Sequence, residues 1–193
     1  MTISLEEVEN FLKDTGGKID MNKKPIPYLY LDDETGQPML MNEKCTIFFS
    51  ETISILRESL HRVIGEGSEL VLRVVGRDMG KKYAQLVMKQ FPELEDVSKI
   101  TQIHELCSII LRNTGFGKIK ILELDLKKPF FKAVIKDAPS CLNFSSQPTT
   151  YNLEAGMLSG ILGRILGVEM AVAECEYNKE EDNYEVTLRR VAE

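Results

Sequence analysis

The apolar positions of this chain follow two rhythms: a three-to-four-residue repeat that marks helices, and alternation over short runs that marks strands. Ser4 followed by Glu7 makes a capping box, and Leu5, Val8, Phe11 and Leu12 trace a stripe ending near Gly16 and Gly17. Residues 1–27 are therefore expected to form a helical arm, and residues 28–193 one compact domain. After Pro25 and Pro27, PYLYL and PMLMN flank DDETGQ, the pattern of a β-hairpin with Gly36 in its turn. CTIFF, from Cys45, reads as a strand end. Ser50 then caps a helix whose stripe is Ile53, Leu56, Leu60, Val63 and Ile64, stopped by Gly65 and Gly67. Ser68 caps a longer helix reaching Gln90, with Leu72, Gly76, Gly80, Tyr83 and Val87 down one side. From Val97 to Asn113 a third stripe, Ile100, Ile103, Leu106, Cys107, Ile110 and Leu111, predicts a helix ended by Gly115 and Gly117.

Alternation then takes over. KIKILELDL and FFKAVIK, separated by Lys127, Lys128 and Pro129, predict an antiparallel pair. Phe131, Ala133 and Ile135 make one side of the second strand apolar, whereas Glu123 and Asp125 interrupt the first and leave its register open. DAPSCLNFSSQPTT has no periodicity and predicts a loop, of a length that covers a site or makes an interface. It leads into YNLEAGMLSGILGRILG, where Gly156, Gly160 and Gly163 fall on one side of a helix. A helix-interior glycine costs about 1 kcal/mol relative to alanine, so three of them predict that another backbone packs closely there. VEMAVAECEY, the turn NKEEDN and YEVTLRR predict a closing hairpin.

Composition narrows the function classes. The chain of 193 residues is 43% apolar and 28% charged with a net charge of -6, which suits a globular domain and argues against a nucleic-acid surface. No run approaches a membrane span, and the acidic, amphipathic MTISLEEVENFLK is unlike a signal peptide, so a cytoplasmic location is expected. Cys45, Cys107, Cys141 and Cys175 are dispersed without a CxxC pair and read as reduced, mostly buried residues. GRDMGKK has three residues between its glycines and no Ser or Thr after Lys81, so it is not a phosphate-binding loop, and GFGK completes no dinucleotide fingerprint. His61 is assigned no role. With His61 and His104 on separate helices, no Ser-His-Asp arrangement is suggested.

The element order, together with EAGMLSGILGRILGVEMAVAECEY, the VVGRDMGKKYAQ helix and the RNTGFGKIKI turn, resembles the 4-vinyl reductase domain family, a relative of the small core subunits of the TRAPP vesicle-tethering complex. The match covers about residues 28–190. The resemblance implies an α+β fold with an antiparallel sheet packed against a helical layer, commonly a homodimer, enclosing an apolar cavity. Such domains act as small-molecule sensors, for example the phenol-sensing portion of certain bacterial activators, and one branch is linked to bacteriochlorophyll synthesis. Members often carry zinc on a cysteine heading the penultimate element, a glutamate on the next strand and two cysteines of the terminal hairpin. The matching positions here are Tyr151, Glu174, Tyr177 and Tyr184. A phenol is a poor zinc ligand beside thiolate or imidazole, so no zinc is expected, and the tyrosines are expected to fill the volume and hydrogen-bond Glu174. Alternation sends Cys175 to the side of the strand opposite Glu174.

For a ligand, His104 falls beside Ile100, Cys107 and Leu111, and Phe130 and Phe131 sit on the strand that the resemblance places along the cavity. His104, Cys107, Phe130 and Phe131 are thus the candidate ligand-binding residues, each also readable as ordinary core or core edge. The expected function is a sensor or regulatory protein binding a small hydrophobic or aromatic molecule. One alternative is a 4-vinyl-reductase-like enzyme or accessory protein, which needs an outside electron donor because no flavin, nicotinamide or iron–sulfur signature is present. The other is a TRAPP-like scaffold subunit.

Overall fold

The computed structural model describes residues 29–32, 35–40, 43–45, 50–137, 152–178, 180–181 and 183–191. The expected N-terminal helix, most of the loop before the glycine-rich helix, and Tyr151 lie outside them. The chain divides into two compact units, Met1–Phe48 and Phe49–Glu193.

In the first unit, β1 (Leu29–Leu31), β2 (Pro38–Leu40) and β3 (Glu43–Lys44) form an antiparallel sheet in that order, with Leu29 opposite Leu40. The predicted hairpin is present. Its turn places Gly36 at φ 65°, a region open to glycine at little cost, and the Thr35 amide and hydroxyl both donate to Asp32 Oδ1 at 2.8 and 2.7 Å.

The second unit contains α1 (Ser50–Ile64), α2 (Gly67–Gln90), a 3₁₀ turn (Pro92–Glu95), α3 (Lys99–Asn113), β4 (Lys118–Asp125), β5 (Phe130–Lys136), α4 (Asn152–Leu166), β6 (Met170–Asn178) and β7 (Asn183–Arg190). The four strands make one antiparallel sheet in the order β4-β5-β7-β6. This is the α+β arrangement expected. The open register of β4 is resolved by a bulge between Ile121 and Glu123, which turns Leu122 outward and leaves Ile119, Ile121 and Leu124 opposite Ile135, Ala133 and Phe131. A second bulge, between Val172 and Glu174, does the same for β6.

α4 is the centre of the unit: from Asn152 to Leu162 every residue is buried. Its glycines meet those of α2. A Cβ on Gly156 or Gly160 would collide with the backbone carbonyls of Arg73 and Arg77, and one on Gly76 or Gly80 with those of Leu153 and Met157. Two helices thus touch backbone to backbone, which accounts for the glycines' tolerated cost to helix propensity. Gly163 has a different neighbour, the carbonyl of Val168 in the turn beyond the helix.

Two helices differ from their predicted stripes. On α1 the residues turned inward are Ser54 and Arg57, while Leu56, Val63 and Ile64 are exposed. Arg57 holds the helix this way through Glu69 of α2, at 3.1 Å. On α3 the inward residues are Ile103, Leu106, Cys107, Ile110 and Leu111, and Ile100 is exposed. Here the buried Gln102 amide donates to the carbonyls of Leu94 and Glu95, at 2.5 and 3.3 Å, drawing in the opposite side of the first turn. Ser98 caps α3 by accepting from the Thr101 amide. Ser68, by contrast, is a buried first-turn residue of α2, not its cap.

Candidate functional site

The sheet turns one apolar side toward α4. Phe131, Ala133 and Ile135 of β5 stand opposite Leu188, Val186 and Tyr184 of β7, and all six are almost wholly buried. Full burial of each larger side chain contributes about 1.5–3 kcal/mol. At about 100° per residue, Glu154, Leu158, Ile161 and Ile165 lie on the side of α4 opposite its glycines, and all are buried. The wall is apolar along its length and polar at one end. There Tyr177 and Tyr184 stack with ring centroids 4.7 Å apart, and Cys175 precedes Tyr177 on the same side of β6.

Burial pushes the Cys175 thiol up to about 12, and the negative charge of Glu154 adds to that shift. Cys107, on α3, is pushed up to about 12 by burial alone. Both are protonated, weakly nucleophilic thiols at neutral pH.

A polar chain secures the other side of α4. Arg73 donates through Nε and a terminal nitrogen to Asn152 Oδ1 at 2.9 and 2.5 Å. Asn152 Nδ2 donates to Glu69 Oε2 at 2.6 Å, and Arg57 donates to Glu69 Oε1. The first residue of α4 is thereby tied to α1 and α2.

The candidate ligand residues separate. Cys107 and Phe131 face the interior with no solvent-accessible surface, so both are packed rather than facing open space. Phe130 is turned to the opposite side of β5, because neighbours on a strand alternate, and lies in an open cleft with Arg189 5.8 Å above its ring. His104 is exposed; α3 is rotated so that Ile103 and Cys107, not Ile100 and His104, point inward. The residues that composition and spacing did not single out are Glu154 and the Glu69–Asn152–Arg73 chain, all polar residues within helical patterns; a charged residue in the apolar run after Tyr151 was the available signal.

The positions matching the family's zinc ligands also diverge. Glu174 is exposed, three residues before Tyr177 and therefore on the other side of β6, so the expected contact between the tyrosines and Glu174 gives way to the tyrosine stack. Cys175 does point away from Glu174, as alternation requires. Among the described residues no group of three His, Cys, Asp or Glu side chains is placed to hold a metal ion. Nor, among them, is any helix long and apolar enough to cross a membrane.

No protein-family model matches the chain, and no curated protein matches it in sequence. Solved structures do match in fold. The phenol-responsive sensory domain of the transcription activator PoxR, determined with phenol, superimposes with a TM-score of 0.68 at 12% identity, covering 97% of this chain and 92% of that one. A vinyl-4-reductase family protein from Methanocaldococcus jannaschii gives 0.51 at 18% identity, over 100% and 99% of the two chains. Subunit 3 of a trafficking protein particle complex from Naegleria fowleri, covalently bound to palmitic acid, gives 0.47 at 14% identity over 75% and 98%. The chain therefore has the α+β fold shared by the phenol-responsive sensory domain and the vinyl-4-reductase family protein.

Proposed function

We propose that this protein is a small-molecule sensor that takes up a hydrophobic or aromatic molecule between its sheet and the α3–α4 layer. The observation that carries the reading is the wall just described, apolar from Phe131 to Leu188 and polar where Cys175, Tyr177 and Tyr184 gather. An apolar surface with a few convergent polar groups suits a phenol-sized ligand, whose ring needs burial and whose hydroxyl needs a partner. The fold shared with a phenol-responsive domain supports the same ligand class. Cys107 and Phe131 supply apolar wall, and Phe130 and His104 have no part in it. Because the wall is packed, uptake is expected to displace side chains rather than fill a standing void.

In this proposal binding proceeds without zinc, since Glu174 faces away from the tyrosines that occupy two of the family's ligand positions. A second copy of the chain is expected to cover the exposed apolar residues of α1 and α2, among them Ile55, Leu56, Val63 and Leu70, which form the kind of surface that marks an interface. Native mass spectrometry of the purified protein, followed by denaturation, tests both parts. A dimer releasing about one apolar molecule per subunit, or taking up added phenol saturably, is the expected result. A protein that binds neither, or that releases stoichiometric zinc, would contradict the proposal.

A further inference from the structure

A second cleft, of about 610 Å³, opens beside the glycine crossing and is lined by α2, α4 and the turn into β6. Its charge runs against that of the molecule. The protein carries a net -6, yet Arg77, Lys81, Lys82 and Arg164 line this cleft against the carboxylates of Asp78 and Glu169 alone. Two positive charges are left over.

Arg77 is the fixed point. Its backbone carbonyl lies against Gly160, so the position of its Cα is set by the helix crossing, which tolerates no shift. Its guanidinium is oriented by Glu169 at 2.8 Å, while its Nε is buried without a hydrogen bond, with Asp78 at 3.9 Å. A guanidinium has five donors, and among the described residues this one makes a single hydrogen bond. Lys81 follows one helical turn later and Arg164 faces it from α4. An arginine with spare donors, in one cleft with Lys81 and Arg164, is an arrangement that recognises a tetrahedral oxyanion.

We propose that this cleft binds a phosphate-class anion, a ligand chemically distinct from the apolar molecule assigned to the sheet side. The cleft is large enough for a diphosphate attached to a larger group. Bound there, the anion bridges α2 and α4 from outside, and so bears on the helix that forms one wall of the apolar site.

Titration calorimetry with inorganic pyrophosphate tests the proposal, alongside co-sedimentation with phosphatidylcholine vesicles with and without phosphatidic acid; the two arms tell a soluble anion from a lipid headgroup. Saturable binding in one arm, suppressed by added salt, is expected. Lys81→Ala with Arg164→Ala, both at exposed positions, is expected to weaken it at least about tenfold while the thermal midpoint stays near that of the wild type. The control is Lys127→Ala with Lys128→Ala at the other open cleft, which also carries four cations; it is expected to leave binding unchanged. No binding in either arm, or a loss in the control pair without a loss in Lys81→Ala/Arg164→Ala, overturns the assignment.

Discussion

The two sides of α4 solve opposite packing problems. Toward α2 it presents Gly156 and Gly160, and the helices meet carbonyl to Cα with no side chain between them. Toward the sheet it presents Leu158, Ile161 and Ile165, which are buried, as are Phe131, Ile135, Val186 and Leu188 of the sheet. The first contact has no rotamers and nothing to displace, so it has a single geometry. The second is made of side chains whose volume can be redistributed at modest cost. In the proposed sensor the first is the fixed frame and the second the wall that gives.

Mutations separate the two sides by magnitude. The largest effect is expected at Glu69, which joins Arg57 and Asn152 and anchors the rigid side. Glu69→Ala removes the carboxylate that the buried Arg57 and Asn152 share, and chemical denaturation should show a loss of about 3 kcal/mol or more. Next comes Gly160→Ala. Its added methyl lands on the Arg77 carbonyl, and a loss near the upper end of overpacking, about 3 kcal/mol, is expected in the same measurement. On the sheet side Leu158→Met, a swap that keeps volume, should cost less than about 1.5 kcal/mol. If Gly160→Ala proves as mild as Leu158→Met, the contrast between the sides fails. Gly67→Ala is the sign control: nothing lies within 4 Å of its added methyl, so stabilisation of about 0.4–1 kcal/mol through the unfolded chain is expected.

A separate effect is one of pH. The thiols of Cys107 and Cys175 are raised from 9.0 to about 12 in the folded protein. Above 9.0 the unfolded chain releases protons that the folded chain keeps, so stability falls as pH rises through that range. Cys107→Ala combined with Cys175→Ala should flatten this alkaline limb relative to wild type, as read from thermal midpoints between about pH 8 and 10.

Much of the fold was legible because its elements carry local signals. The glycine spacing on α4 announced a close backbone neighbour; that the neighbour is the glycine side of α2 was not readable, since the contact joins Arg77 to Gly160 across a long stretch of chain. The hairpins followed from alternation and Gly36. Where periodicity misled, a polar contact had rotated the helix: Arg57 with Glu69 for α1, and Gln102 with the 3₁₀ turn for α3, which also carried His104 outward. On β4 a bulge reconciled Glu123 with an apolar inner side, an irregularity that strict alternation does not encode. The candidate site was legible in Phe131 and Cys107, as parts of apolar stripes. Its polar end was not, because Tyr177 and Tyr184 stack only when β6 pairs with β7 in this register.

Methyl and amide NMR during titration with phenol tests the central claim most directly. Saturable shifts at Ile135, Leu158, Val186 and Leu188, with the amides of Gly76 and Gly156 unmoved, are predicted: the ligand enters on the yielding side while the glycine crossing holds. Shifts centred on the glycines, or none that saturate, would contradict the account.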